Sequence, residues 1–162
     1  MTNEMHIRVS LARQELVLQD ESGQRLIYPV STALKGAGER INSECTPRGW
    51  HRVRCIIGQG CPANAVFTGR RFTGEIYSDE LSRVQPGRDW ILSRILWLSG
   101  SESGFNRGGD CDTLRRYIYI HGMPDSEPVG VPRSHGCIRM RNEDVIDLAS
   151  RVSAGTPVLI EE

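Results

Sequence analysis

Lysine is almost missing from this 162-residue chain: Lys35 stands alone, and the other nineteen basic residues are arginine. Twenty acidic residues cancel the twenty basic ones, so the chain lacks the net charge that would draw it to nucleic acid or to an anionic membrane. Arginine suits bidentate pairing with carboxylates, and a compositional bias of the genome accounts for the same count. Also missing is any Cys-x-x-Cys pair. Cys45, Cys55, Cys61, Cys111 and Cys137 form an odd, irregularly spaced set, which argues against a disulfide framework and for a reducing compartment. The most apolar stretch, Trp90 to Leu98, is broken by Ser93 and Arg94 and is too short to span a bilayer. The first ten residues, Met-Thr-Asn-Glu-Met-His-Ile-Arg-Val-Ser, carry no basic segment followed by an apolar core, so the sequence predicts no secretory signal and a cytoplasmic location. Linkers, repeats and low-complexity tracts are absent too, and residues 1–162 read as one domain.

What is present is a series of short strand patterns. His6 to Leu11 alternates apolar and polar residues, the period of a half-buried strand. Glu15 to Gln19 and Leu26 to Ser31 continue a meander around the turn Asp20-Glu21-Ser22-Gly23. Lys35 to Asn42 reads as a surface loop. Thr46-Pro47-Arg48-Gly49 is a turn feeding a strand from Trp50 to Ile57. Ala65 to Tyr77 is ambiguous, and Glu80 to Val84 fits a short helix closed by Pro86-Gly87. Trp90 to Leu98 reads as a buried strand, and Ser99 to Thr113 as a long loop of the kind that carries function. Tyr117 to His121 is rich in aromatic and β-branched residues and predicts a further strand. Asn142 is placed to cap a helix, with Glu143 and Asp144 in the first turn where the dipole favours anions. Val145, Ile146, Leu148, Ala149 and Val152 give that helix one apolar stripe, and Pro157 to Ile160 closes the chain as a strand. The pattern predicts a mainly β fold, a sandwich or barrel with one flanking C-terminal helix.

The chemistry concentrates between Tyr117 and Arg141. A free cysteine titrates near 8.5 and is largely an inert thiol at neutral pH; a histidine beside it lowers that pKa and shuttles the proton. His121 and His135 both lie within reach of Cys137 in the sequence, and His121 is the better base because a buried strand fixes it. The Gly122 carbonyl is placed to hold the other ring nitrogen and set the tautomer. Gly136 lets a substrate backbone come close, and amides near Gly136 and Cys137 could face an oxyanion, where one donor is worth roughly 100- to 1,000-fold in rate. Arg139 can pair with a substrate carboxylate. A zinc site of two histidines and one cysteine is the rival reading, weakened by the lack of a close metal pair. Cys45, Cys55, Cys61 and Cys111 read as small hydrophobes, and His6 and His51 as strand-face histidines without a role.

His121-Gly122 followed by Ser134-His135-Gly136-Cys137-Ile138-Arg139 resembles the signature of the L,D-transpeptidase catalytic domain (YkuD-type) family. Tyr28-Pro29-Val30-Ser31-Thr32, departing at Ala33, and Thr46-Pro47-Arg48-Gly49-Trp50 resemble two further family stretches in the expected order. The resemblance implies a YkuD-type β-sandwich with a helix, no cofactor or metal, and peptidoglycan stem peptides as substrate. Cys137 would be the nucleophile and His121 the base, oriented by Gly122. His135 and Gly136 would line the oxyanion side. Arg139 would line the substrate pocket, with Ser134, Arg133 and the Asn106-Arg107 loop as weaker candidates. In the family a thiolate attacks the carbonyl of a diamino acid in a tetrapeptide stem and D-alanine leaves; water then yields a tripeptide, whereas an amine yields a 3-3 crosslink. Acylation by carbapenems is implied as well. With no export signal predicted, the chain resembles the cytoplasmic L,D-carboxypeptidases of the family, which serve muropeptide recycling.

Overall fold

The structure is a computed structural model that describes residues 4–162; the first three residues of the predicted domain, and of the predicted unsignalled N-terminus, lie outside the described residues. The chain opens as the expected meander. β1 (Met5–Ser10), β2 (Glu15–Asp20) and β3 (Arg25–Pro29) pair antiparallel in succession. The alternation read from the sequence is what pairs them: Ile7 and Val9 of β1 and Leu16 and Leu18 of β2 are all buried.

The remaining strands are β4 (Gly49–Ile57), β5 (Ala65–Thr68), β6 (Arg71–Ile76), β7 (Ile91–Gly100), β8 (Tyr119–Met123), β9 (Ile138–Arg141) and β10 (Pro157–Glu161). Their order along the sheet is β3-β2-β1-β10-β4-β7-β5-β6, with β8 on β7 and β9 on β8. β7 is the hub, paired with β4, β5 and β8. The layers of the fold are thus one continuous sheet that curls over. A bridge between Ser31 and Arg139, each amide donating to the other residue's carbonyl at 2.9 Å, joins the end of the β3 segment to β9. The curl encloses the main core, which includes Ile7, Val9, Leu16, Leu98, Ile120, Ile138, Met140 and Ile160.

The ambiguous region 65–77 is a hairpin, β5–β6, turned at Gly69-Arg70 with φ of +56° and +65°. Phe72 and Ile76 face outward on it, which blurs the alternation. The short helix α1 spans Asp79–Val84, capped by Ser78. The second helix, α2, spans Asn142–Arg151 and buries Val145, Leu148 and Ala149, as its stripe predicts. Its first residue corrects an expectation. Arg141 holds the cap position, and Asn142 is buried within the helix. The Asn142 amide donates to the Met123 carbonyl at 2.8 Å and its oxygen accepts from Ser93 Oγ at 2.6 Å. Asn142 therefore ties α2 to β8 and β7 instead of capping. A side chain at Gly122 would collide with that Asn142 oxygen and with the Leu92 carbonyl. Glycine after His121 is thus required by packing.

Candidate active site

β8 and β9 run parallel, with Ile120 beside Ile138 and His121 beside Arg139. Successive residues of a strand point to opposite faces. Ile120 and Ile138 are buried in the main core, so Tyr119, His121 and Arg139 face the other way, with Cys137 just before the strand on their side. Cys137 packs against a second apolar cluster built on Ala65, Phe67, Ile95 and Tyr119. β9 went unrecognised in the sequence because it is four residues long. β8 starts two residues later than predicted, because Tyr117 sits in the left-handed region at φ +57°. That turn has a use: the Cys137 thiol donates to the Tyr117 carbonyl at 3.4 Å, while the Tyr119 amide donates to the sulfur at 3.3 Å.

The three sequence stretches that resemble the family meet here. Thr46 is fully buried; its hydroxyl donates to the Gly136 carbonyl at 2.9 Å and accepts from the Ala33 amide at 3.0 Å. Ser31 to Leu34 runs beside the Ser134–Arg139 segment: the Arg133 and Ser134 amides donate to the Thr32 carbonyl and the Leu34 amide to that of Ser134. Gly136 has φ +133°, and a Cβ there would press on Ile118 and the Cys45 carbonyl. The residue before the thiol is fixed from both sides.

His121 is buried, and its Nδ1 lies 2.7 Å from the Gly122 carbonyl. A carbonyl only accepts, so Nδ1 carries the proton and Nε2 keeps its lone pair, the form a base needs. Burial pulls the ring's pKa down to about 4; the Gly122 carbonyl and Asp89 oppose this, and Arg139 adds to it. Burial likewise pushes the Cys137 thiol up to about 12, against the Tyr119 amide and the cations Arg139 and Arg116, with Asp89 on the side of burial. The sequence predicted a thiolate held ionised by its neighbour. Desolvation works against that pairing, since it disfavours charge on the ring and on the thiol alike. That Asp89 and Arg139 act on both groups shows that they share one local field.

The other predicted site residues divide. Arg139 is half-buried between Asp89 and Glu127, at 3.4 and 3.5 Å. His135 is exposed and lines a cleft of about 380 Å³ together with Tyr77, Arg88, Asp89, Trp90 and Arg139. Arg133 is exposed as well. Ser134 is buried, and its hydroxyl donates to the Cys137 carbonyl and accepts from the Gly136 amide. It pins the turn, and its one proton is spent there. Asn106 is fully buried and spends its side chain on the Arg48 and Trp50 carbonyls and the Glu102 amide. It fastens the loop that follows β7, residues 101–113, to β4, which corrects its assignment as a substrate contact. Arg107 lies in a different cavity with Arg52, Arg54 and Asp112.

Sequence reasoning missed Arg116. Half-buried, it donates to the carbonyls of Cys45 at 2.7 Å and Gly38 at 3.3 Å and to Ser43 Oγ at 3.3 Å, all neutral acceptors. A long-range partner of this kind leaves no local signal. Asp89 and Glu127 were missed for the same reason. Among the described residues, no group of three His, Cys, Asp or Glu side chains is placed to hold a metal ion, and no helix is long and apolar enough to cross a membrane.

The sequence model of the L,D-transpeptidase catalytic domain (YkuD) matches residues 4–160. The chain belongs to that family, whose enzymes use a cysteine nucleophile. The protein YkuD of Bacillus subtilis is 48% identical over 46 residues, 28% of this chain and 28% of that protein. YqjB of the same organism is 42% identical over 59 residues, 36% of this chain and 32% of that protein. The solved L,D-transpeptidase 3 from Mycobacterium tuberculosis, in complex with a faropenem-derived adduct, matches with a TM-score of 0.60 at 16% identity. It covers 99% of this chain, which spans 61% of that one. At that identity the likeness establishes the fold.

Proposed function

We propose that the protein is a cysteine L,D-carboxypeptidase: acting as one domain over residues 1–162, it removes the terminal D-alanine from peptidoglycan tetrapeptide stems through a thioester on Cys137. The observation that carries this reading is the half-spent imidazole of His121, on one face with Cys137 and Arg139. Nε2 of His121 takes the thiol proton as sulfur attacks the carbonyl of the third stem residue. The Gly136 amide is occupied by Ser134, which leaves the Cys137 amide to face the oxyanion. The tetrahedral adduct collapses, the C–N bond breaks, and His121 returns its proton to the departing D-alanine amine. Water then attacks the thioester while His121 accepts its proton, giving the tripeptide carboxylate and restoring the thiol. Gly122 holds the ring throughout, Arg139 takes the terminal carboxylate, and His135 stands at the rim.

Five unpaired cysteines support a reducing, cytoplasmic compartment, where trimming recycled muropeptides is useful. The alternative is L,D-transpeptidation, with an amine as acceptor; the name of the Mycobacterium tuberculosis neighbour favours it. Mass spectrometry of products from a defined tetrapeptide decides between them. Tripeptide and D-alanine are expected, and crosslinked dimers as the main product would overturn the carboxypeptidase reading. Cys137→Ala should abolish turnover and also the mass increment left by a carbapenem.

A further inference from the structure

Arg139 is the cation best placed for a substrate carboxylate, yet it is not a free one. Its distances of 3.4 Å to Asp89 and 3.5 Å to Glu127 exceed the roughly 2.7–2.9 Å of a good charge-assisted bond. Its Nε is buried without a partner. The guanidinium side chain is 14% exposed, whereas Asp89 is 60% and Glu127 35% exposed. The remaining charge at the cleft does not change the balance: Arg88 is already paired with Glu75 and stacked on Trp90. One guanidinium and two carboxylates thus leave one surplus negative charge in the cleft, and of the three Asp89 and Arg139 also act on the thiol.

A ligand carrying only a carboxylate would double that surplus. A ligand that also carries an ammonium leaves it unchanged, since Arg139 can exchange its two loose partners for the ligand's carboxylate while Asp89 and Glu127 turn to the ammonium. Tyr77 and Trp90, packed edge to face at 5.0 Å, wall the same cleft and offer apolar surface to methylene groups between the two charges.

We propose that Asp89 and Glu127 are specificity-determining residues that bind the free distal ammonium of the stem's diamino acid, so that the site selects stems whose side-chain amine is unacylated, and therefore uncrosslinked. This rests on the carboxypeptidase reading for its substrate class. The selection nevertheless has a readout of its own, because binding can be measured without turnover.

The experiment is calorimetric binding to the Cys137→Ala protein of two tetrapeptides, each with a diamino acid linked through its L centre as third residue. One carries a free distal amine and the other the same amine acetylated. The free amine should bind at least about tenfold more tightly. In the background of Asp89→Asn and Glu127→Gln, an exposed and a half-buried position whose amide oxygens can still accept from Arg139, the ratio should fall to within about twofold, with circular dichroism confirming that the double variant is folded. Equal binding of the two peptides to the Cys137→Ala protein overturns the proposal, and so does a ratio that survives in the double variant. Turnover of the free-amine peptide by the unmodified protein tests the carboxypeptidase reading separately, so failure of one is distinguishable from failure of the other.

Discussion

His51 and His121 are two buried histidines with the same pKa displacement and different consequences. Burial draws each down to about 4, so each ring is neutral at pH 7. His51 spends both nitrogens: Nδ1 lies 3.0 Å from the Gly49 carbonyl and Nε2 2.9 Å from Thr113 Oγ1. His121 spends one, on Gly122. A low pKa therefore does not mark the base; a nitrogen left over, on the face of a thiol, does. His51 also corrects the sequence expectation of a histidine without a role, since it ties β4 to Thr113, at the end of the loop that follows β7.

The sharpest way to break this contrast is to replace each ring. His121→Asn should lower turnover by about 100- to 10,000-fold, the usual worth of a general base. His51→Asn should leave turnover within about twofold and cost roughly 1–3 kcal/mol of stability by stranding Thr113, read by urea unfolding. Equal losses of turnover in the two variants would remove the distinction. The resting state gives a second test. With the thiol pushed up to about 12, alkylation of Cys137 by iodoacetamide should rise about tenfold per pH unit from 7 to 9, since only the thiolate reacts. A plateau below pH 8 would instead show a preformed ion pair.

Acid supplies a third. Both rings titrate lower in the folded chain than the 6.5 of a free histidine, so between pH 6.5 and 4 the unfolded chain binds more protons and stability falls as pH falls. Each histidine contributes up to ~3 kcal/mol across that window, and His51→Asn should flatten part of the slope. The smallest effect is expected from Thr113→Val, about 1 kcal/mol, with activity unchanged.

Much of this was legible in the chain. The meander, β4, β7, β10 and the stripe of α2 follow from period-two and period-3.6 patterns, and the region around His121 and Cys137 stands out by its residue types. What was not legible is long-range. Asn142 has the residue type of a cap, and only the fold shows that Met123 and Ser93 claim its side chain first. Ser134 and Asn106 have apt side chains, but backbone groups from elsewhere consume them. Arg116 and Asp89 act on the thiol from segments with no motif, and no local pattern could name them.

The seam at Ser31 and Arg139 has one more consequence. Among the described residues, the strand that follows the nucleophile, β9, is bonded along its length only to β8; on its other side it is held by a single two-bond bridge. Fraying should begin there, and native-state hydrogen exchange at the Ser31 and Arg139 amides should run faster than at Ile120. The half-buried sulfur thus sits beside the most weakly seamed edge of the sheet, and local opening there would widen its access to reagents while the rest of the sheet stays closed.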